Sequence, residues 1–484
     1  MSGDATCEAG KAVTHPHPNP LPQAGEGGGR RGAIEAELRA TLALALPLAA
    51  AQLAQVLMGI TGTAMMGRLG GDALAAGGLA AALYFTVAFV FQGILNAAGP
   101  LVAHAIGAGR PDRTGPIVAS GLYIAAGLAI IGIFLVLEIE PLLTWIGHAP
   151  PLVAATASYL RAAIFGMPAS LGFALYRSYL AASARTGPVM TVLLFCLALN
   201  VLLNELLIFG HLGLPALGVA GSGYAAAAVQ WAEFLGLVLY AALLPGLRRH
   251  RVGMALRRPD WSEARAILRL GWPIGGIIAT EVGIFSTTGL LAGLLGTDAL
   301  AGHQVAIGLV SFTFMVPLSF SQAATVRVAL ASGAGRPDAA RRAGYVAFAC
   351  GVGFMALNAI LILIEPYAII AVYLDAADPA NAKAVTVARR LLAIAAIFQI
   401  FDGMQSIAVG ALRGLKDTRV PMLIGAIGYW GIGFPTGWLL AFPAGLGAPG
   451  LWWGLAAGLA AVGMPLAFRF RRLASCLPEA AKTP

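Results

Sequence analysis

Hydrophobic residues run continuously over long stretches of this chain, without the alternation of apolar and polar positions that half-buried strands show. An apolar run of about 18 residues or more is long enough to cross a bilayer as a helix. Because transmembrane barrels are built from alternating segments, the pattern predicts an all-α integral membrane protein with twelve transmembrane helices, which we number spans 1 to 12. They lie at about 40–67, 73–103, 116–137, 152–176, 188–209, 217–244, 266–295, 299–326, 343–364, 388–412, 421–442 and 447–468.

The composition agrees with this prediction. Charged residues make up 11% of the 484 residues, against about 25% in ordinary soluble domains. A soluble enzyme or a nucleic-acid-binding domain is therefore excluded. The four cysteines are scattered, which excludes a disulfide scaffold; they are Cys7, Cys196, Cys350 and Cys476.

The basic residues indicate the orientation of the chain in the membrane. Of the 31 lysines and arginines, 26 lie in the terminal segments or beside the loops that follow even-numbered spans, whereas the opposite loops are mainly acidic. An even number of spans places both termini on the same side of the membrane. By the positive-inside rule, that side is the cytoplasm. We expect a multi-pass protein of the bacterial inner membrane, whose net charge of +9 reflects topology and not nucleic-acid binding.

The same features divide the chain into five segments. Residues 1–35 are rich in proline and glycine and are expected to form a disordered tail, because they lack the apolar segment of a signal peptide. Residues 36–245 form an N-lobe of spans 1–6, and residues 266–470 form a C-lobe of spans 7–12. An arginine-rich cytoplasmic linker at 246–265 joins the lobes, and residues 471–484 form a C-terminal tail.

The two halves repeat each other. The sequence of residues 107–112 recurs at 333–338, that of 69–75 recurs with one change at 295–301, and Pro47 matches Pro273, all at an offset of 226. Because each half has six spans, both halves enter the membrane in the same sense and are related by an axis along the membrane normal. Transporters built this way hold their substrate between the halves; a duplicated passive scaffold or channel remains the alternative.

Two acidic residues lie in the middle of apolar spans, where an ionisable group is costly and is usually functional. Glu281 lies in span 7 and Asp402 in span 10. Around Asp402 the helical spacing places several side chains on one face, which we expect to line a cavity. They are Phe398, Gln399, Gln405 and Ser406, and Thr288 belongs to a weaker polar face beside Glu281.

A carboxylate in such a cavity either holds a proton or binds a cation, because burial disfavours its charged form. Either behaviour links cation occupancy to conformation, so Glu281 and Asp402 are the candidate cation-coupling residues. The alternative is that both are structural carboxylates bonded to neighbouring hydroxyls.

The first half has amides in place of these acids. At the repeat offset, Gln55 corresponds to Glu281. Asn200 and Asn204 fit a cavity lining or a helix-packing role equally well. The amides proposed as cavity or substrate residues are Gln52, Gln55, Asn200 and Asn204, while Glu205 and Glu233 are extra acids that we place near interfaces or in pairs. His104 and His303, at span ends, are expected to be solvated. The lysine of a nucleotide-binding loop is missing, so ATP does not drive this protein.

Several motifs resemble those of the multidrug and toxic compound extrusion (MATE) transporters, in particular the NorM-like branch. The similarity covers about residues 36–470. Its markers are residues 58–67, 199–204, 208–210, 271–275 followed by Glu281, the repeated 107–112 and 333–338, 314–317, and Asp402 followed by 410–418.

The resemblance implies two six-helix lobes and export of organic cations or amphipathic compounds in exchange for sodium ions or protons. It also implies that the acids matching Glu281 and Asp402 bind the coupling cation. Two positions depart from the family pattern. Gly62 stands where members usually carry an aspartate, and Phe398 stands where sodium-using members can carry a tyrosine.

We therefore expect a monomeric secondary multidrug antiporter in contact with membrane lipid, with no enzymatic activity and no cofactor beyond a proton or sodium ion. A flippase for lipid-linked oligosaccharides is the main alternative. That class needs a cationic cavity, and Arg161 is the basic residue to examine. A non-transporting membrane scaffold is a third possibility.

Overall fold

The structure is a computed structural model that describes residues 30–476 apart from 212, 214, 249, 258, 376 and 377. Within these residues every regular element is helical, and twelve helical stretches are long and apolar enough to cross a membrane. All twelve predicted spans are confirmed. Most of the predicted N-terminal tail, at 1–29, and the end of the C-terminal tail, at 477–484, lie outside the described residues.

In the first half, spans 2, 3 and 4 are interrupted and the others are single helices. A proline lies in the first turn of the helix that follows each interruption, where its missing backbone donor is tolerated, and a 3₁₀ turn accompanies the interruption of span 4. The helices are Arg30–Gly67 (span 1), Gly71–Leu95 and Ala98–Gly107 (span 2), Thr114–Leu137 and Ile139–Ile146 (span 3), Pro150–Ala163 and Met167–Ala182 (span 4), Gly187–Phe209 (span 5) and Gly218–Leu243 (span 6), with 3₁₀ turns at Pro111–Arg113 and Ile164–Gly166.

In the second half, span 11 is interrupted by a π-helical segment, Ile427–Gly433. π-helical segments are rare, and those that occur are often found at functional sites. The helices are Trp261–Leu294 (span 7), Thr297–Gly333 (span 8), Pro337–Ile364 (span 9), Pro366–Ala371 and the 3₁₀ turn Pro379–Asn381 before span 10, Ala382–Gly414 (span 10), Arg419–Ala426 and Phe434–Ala441 (span 11) and Ala448–Ser475 (span 12).

Three helices extend beyond their apolar runs into segments expected to be tail or linker. Span 1 begins at Arg30, inside the predicted tail of residues 1–35; span 7 begins at Trp261, inside the predicted linker of residues 246–265; and span 12 continues to Ser475, inside the predicted tail of residues 471–484. The side chain of Asp260 caps span 7 by accepting a hydrogen bond from the Ser262 backbone. Capping interactions fix where a helix begins and ends, and the hydropathy pattern does not show them.

The described residues between spans 6 and 7 are folded against the N-lobe. They contain two short helices, Pro245–Arg248 and Val252–Ala255. His250 between them is buried, and its Nδ1 lies 2.8 Å from the hydroxyl of Tyr179 in span 4. The hydroxyl of Ser120 donates to the carbonyl of Asp260. The linker therefore fixes the start of span 7 against spans 3 and 4.

The two halves meet through glycines that obey the repeat. A Cβ atom on Gly107 would lie 2.2 Å from the carbonyl oxygen of Leu330, and one on Gly333 would lie 2.3 Å from that of His104. Gly333 follows Gly107 by 226 residues, and Leu330 follows His104 by the same offset. The contact therefore maps onto itself when the halves are exchanged, as a pseudo-two-fold axis between two similar bundles requires.

These contacts lie next to the loops that carry most of the basic residues. We call this side of the protein the basic face. Two ion pairs also join the halves there. Arg327 at the end of span 8 binds Glu37 at the start of span 1, and Arg113 binds Glu263 at the start of span 7. Glu37 and Glu263 are themselves 226 residues apart. The lobes are therefore held together at the basic face.

Candidate functional site

The interior of the C-lobe contains buried oxygen atoms that have no hydrogen-bond partner within the described residues. Asp402 in span 10 is 3% exposed, and its Oδ1 has no partner among the described residues. One turn along the same helix, Gln405 is 2% exposed and its Oε1 is likewise unpaired within the described chain. Buried polar atoms are nearly always paired, so two such oxygens on one face point to a ligand.

Tyr429 adds a third oxygen. It lies in the π-helical segment of span 11, is 2% exposed, and its hydroxyl is buried without a partner in the described residues. It interacts electrostatically with both Asp402 and Glu281. Tyr429 is not among the site residues predicted from the sequence. A polar aromatic residue in mid-span, flanked by Gly428 and Gly431, was the signal that pointed to it.

Glu281 faces this group from span 7. It is half-buried, and it repels Asp402 electrostatically. On the side toward the basic face it attracts Arg413 from the end of span 10. Trp430, next to Tyr429, donates from Nε1 to the carbonyl of Thr280 at 3.2 Å. Span 11 is thereby tied to span 7 beside Glu281, which brings the two acids and Tyr429 together.

The polar face predicted around Asp402 divides in the structure. The Oε1 of Gln399 accepts hydrogen bonds from Asn358 at 2.6 Å and from Thr313 at 3.5 Å, which ties span 10 to spans 9 and 8. The backbone carbonyl of Ser406 accepts from the hydroxyl of Ser321. These residues hold span 10 in place around Asp402.

Two other predicted cavity residues, Phe398 and Thr288, have partners of their own in the structure. Phe398 is fully buried, with its ring 5.4 Å from that of Trp452 and 6.0 Å from that of Phe285. Thr288 donates its hydroxyl to the carbonyl of Ile284 one turn earlier, 2.8 Å away. Phe398 therefore belongs to an aromatic cluster behind the acids.

His303 is part of the same cluster. It was expected to be solvated, but it is 3% exposed and accepts a hydrogen bond from Nε1 of Trp452 at 3.2 Å. That expectation was wrong, because span 8 turns this side chain toward span 12. Its position near the end of the helix did not show the direction.

The N-lobe amides form two separate groups. Asn204 donates to the backbone carbonyl of Asn200 and accepts from the hydroxyl of Ser222, at 2.8 and 3.0 Å. A Cβ atom on Gly62 would lie 3.9 Å from that hydroxyl. The place where family members carry an aspartate is therefore next to the Asn200–Asn204 pair and is open enough for a side chain.

The second group surrounds an arginine. Arg177 in span 4 donates to Oε1 of Gln52 at 3.3 Å and interacts electrostatically with the buried Glu233 of span 6. Gln55, one turn along from Gln52, is half-buried. The other extra acid, Glu205, pairs with Arg68 at the surface. Glu233 and Glu281 thus each lie near an arginine, Arg177 and Arg413 respectively.

The arrangement in the C-lobe suits a small cation. Two acids repel each other, and neutral oxygens of an amide and a phenol lie beside them without partners among the described residues. A proton on one carboxylate removes the repulsion, and a sodium ion removes it through coordination by oxygen, the ligand that hard cations prefer.

Comparisons with known proteins agree with this fold. The MatE family model matches residues 47–206 and 273–439. The two matches begin at Pro47 and Pro273, which are separated by the offset of the internal repeat.

Among curated proteins, a "Probable multidrug resistance protein NorM" from Burkholderia mallei is 46% identical over 438 residues, which is 90% of this chain and 93% of that protein. A protein of the same name from Pseudomonas aeruginosa is 45% identical over 448 residues, which is 92% of this chain and 91% of that protein.

Solved structures share the fold. The eukaryotic MATE transporter AtDTX14 superposes with a TM-score of 0.81 at 20% identity, over 91% of this chain and 98% of that one. A single-residue mutant of the Vibrio cholerae MATE transporter VcmN gives a TM-score of 0.82 at 19% identity, over 91% of this chain and 97% of that one. The chain therefore belongs to the MatE family, the multidrug and toxic compound extrusion transporters.

Proposed function

We propose that this protein is a secondary active antiporter that exports organic cations or other amphipathic compounds in exchange for protons or sodium ions. The names of its relatives support multidrug efflux. A lipid-linked oligosaccharide flippase is not favoured. Arg161, the residue that would have supported it, forms a surface ion pair with Glu140 at 2.6 Å.

The observation that carries the proposal is the buried Asp402. One of its oxygens has no partner in the part of the chain that the structure describes, and it lies on the same helix face as that of Gln405. Glu281 and Asp402 repel each other when both are charged, so the empty site favours a conformation that separates them or admits a cation. Binding of one cation removes this bias. Each positive charge moved across the membrane contributes about 2.3 kcal/mol per 100 mV, and this energy drives the conformational change that exports substrate.

The substrate would bind between the lobes. The two halves are joined at the basic face by the Arg327–Glu37 and Arg113–Glu263 pairs, so we infer that the cleft opens toward the opposite face. By the positive-inside rule the basic face is cytoplasmic. The structure would then be outward-open, in the inner membrane of a bacterium, with both termini in the cytoplasm and the chain acting as a monomer.

Transport of a fluorescent organic cation from an efflux-deficient bacterium tests the role of the acids. Wild type is expected to export the dye, and Glu281→Gln and Asp402→Asn are each expected to lose export at an equal amount of protein in the membrane. Glu205→Gln is the matched control, because it removes one acid from an exposed pair. Export by either interior variant at the wild-type rate would contradict the assignment.

The coupling ion requires a second experiment. Purified protein in vesicles, with the pH and sodium gradients imposed separately, is expected to take up dye under one gradient and not under the other. Uptake driven by neither gradient would overturn the antiport proposal, whereas dependence on both gradients would mean that both ions are accepted.

A further inference from the structure

A cavity of about 520 Å³ lies at the seam between the lobes on the basic face. The N-lobe contributes the end of span 2 and the start of span 3, and the C-lobe contributes the start of span 7 and the loop between spans 10 and 11. The cavity therefore exists only while the two lobes are in contact on this face. It lies outside the cation site, which is in the middle of the spans.

The charged side chains around this cavity are mainly basic. The five positive ones are Arg110, Arg113, Arg269, Lys416 and Arg419, and the two negative ones are Glu263 and Asp417.

Both acids already have an arginine partner. Arg113 donates from Nε to Oε1 of Glu263 at 2.9 Å, and Arg469 donates from Nε to Oδ2 of Asp417 at 2.6 Å. The other four basic side chains have no acidic partner within 4 Å in the described part of the chain. The cavity is thus lined by positive charge that the described residues do not neutralise.

The local electrostatics agree with this surplus. Burial lowers the pKa of Lys416, and the positive charge of Arg113 lowers it further. Both side chains also interact electrostatically with His104. Thr418 and Arg419 place the N-terminal end of span 11, the positive end of its helix dipole, at the cavity wall.

Arg110 recurs as Arg336 at the repeat offset, but two of the other charges do not recur. At the repeat offset Arg269 corresponds to Ala43, and Arg113 corresponds to Ala339. The cavity is therefore a feature of one side of the pseudo-two-fold axis. Arginines that only set membrane topology do not need to gather around one cavity, because the positive-inside rule depends on their number near the membrane and not on their arrangement.

We propose that this cavity, the interlobe basic pocket, binds a phosphate-bearing anion and that the bound anion stabilises the conformation in which the lobes are joined at the basic face. Phosphate accepts several hydrogen bonds and is well matched to arginine. Basic pockets between helices on the cytoplasmic side of a membrane suit the head groups of anionic lipids. A soluble phosphate has the same chemistry, and the experiment separates the two sources.

The test is the thermal unfolding of the purified full chain in a neutral detergent. Three additions are compared at equal ionic strength: phosphatidylglycerol, phosphatidylcholine at the same molar ratio, and inorganic phosphate. A ligand bound only by the folded state raises the unfolding temperature with concentration. Phosphatidylglycerol is expected to raise it and phosphatidylcholine is not; a rise with inorganic phosphate alone would identify a soluble anion as sufficient.

The double variant Arg269→Gln, Lys416→Gln is expected to weaken this response at least tenfold in anion concentration. The double variant Arg471→Gln, Arg472→Gln removes the same charge from exposed positions on span 12 that do not line the pocket, and it is expected to respond like wild type. The single variant Arg110→Gln gives a milder change if the first variant does not fold, because Arg110 is exposed and has no acidic partner among the described residues. No anion-dependent rise in wild type, or equal loss in the pocket and control variants, would overturn the proposal.

Discussion

Arg327 donates two parallel hydrogen bonds to Glu37, from Nε to Oε1 and from Nη2 to Oε2, both at 2.8 Å. The side chains are 4% and 2% exposed, so the pair is buried between the end of span 8 and the first turns of span 1. It joins residues 290 positions apart and links the two lobes at the basic face. A buried charge is tolerated because the bidentate geometry satisfies both partners.

Breaking this pair should destabilise the protein strongly. Glu37→Gln leaves the guanidinium of Arg327 buried without a counter-charge, and the expected loss is about 3–5 kcal/mol of unfolding free energy. The apolar double variant Glu37→Leu, Arg327→Met removes both charges and is expected to lie much closer to wild type. Thermal or denaturant unfolding in detergent measures both.

Glu205→Gln serves as the control for this prediction. Its partner Arg68 is 61% exposed, so the expected loss is below about 1 kcal/mol. Equal losses for Glu37→Gln and Glu205→Gln would mean that the lobes are not held by the buried pair.

The glycines at the pseudo-two-fold contact should be intolerant of alanine. Gly107→Ala and Gly333→Ala each place a Cβ atom within 2.3 Å of a carbonyl oxygen in the other lobe, and relieving the clash should cost about 1–3 kcal/mol. Gly78→Ala, where no atom lies within 4 Å, should instead stabilise span 2 by about 0.5–1 kcal/mol. The unfolding temperatures of the three variants, measured side by side, give the sign of each effect. A stabilising effect of either contact variant would show that the lobes do not approach so closely.

Removing the hydroxyl of Tyr429 should separate stability from function. Because that hydroxyl is buried and unpaired among the described residues, Tyr429→Phe is expected to raise the unfolding free energy by up to about 1 kcal/mol. It should also weaken the stabilisation by the coupling ion, since one oxygen of the site is lost. Unfolding temperatures with and without sodium, at two pH values, measure both effects.

Tyr84→Phe is the matched control, since the Tyr84 hydroxyl donates to Gln230 at 2.8 Å. Its loss should lower stability by about 1 kcal/mol and leave the response to the ion unchanged. If both variants lower stability equally, the Tyr429 hydroxyl has a partner and does not belong to a cation site.

Asp260 should make the stability of span 7 depend on pH. Hydrogen bonds from the hydroxyl and backbone of Ser262, at 2.7 and 2.9 Å, lower the pKa of this carboxyl below its usual value. The folded-state pKa is therefore below the unfolded value of about 3.9. The stabilisation is fully present above the unfolded value and is lost as the pH falls through the folded value.

Two variants isolate this effect. Asp260→Ala should cost about 1 kcal/mol at neutral pH through loss of the cap. Asp260→Asn keeps an oxygen at the cap. It should remove only the contribution of this carboxyl to the loss of stability at low pH. Unfolding temperatures are measured from about pH 3 to pH 7, a range that includes the pKa of this carboxyl in the unfolded state. A parallel decline of wild type and Asp260→Asn would contradict the assignment.

The location of the two interior acids was predictable because it depends on local composition. Glu281 and Asp402 stand out as charges within apolar runs, and the structure places them within electrostatic reach of each other. The position of Tyr429 beside these acids and the pairing of Gln399 with Asn358 were not predictable. They depend on how spans 9, 10 and 11 rotate against each other, and a hydropathy pattern that is apolar all round does not encode that rotation.

The sequence by itself determined the twelve spans, the repeat with its offset of 226 residues and the strong positive bias of one face, since each of these is a property of contiguous residues or of their number. The tertiary structure alone decided which atoms meet. It turned His303 inward onto Trp452, seated Phe398 in an aromatic cluster, paired Glu37 with Arg327, and gathered arginines from both lobes around one pocket. These contacts join residues far apart in the chain, and close packing between helices fixes them.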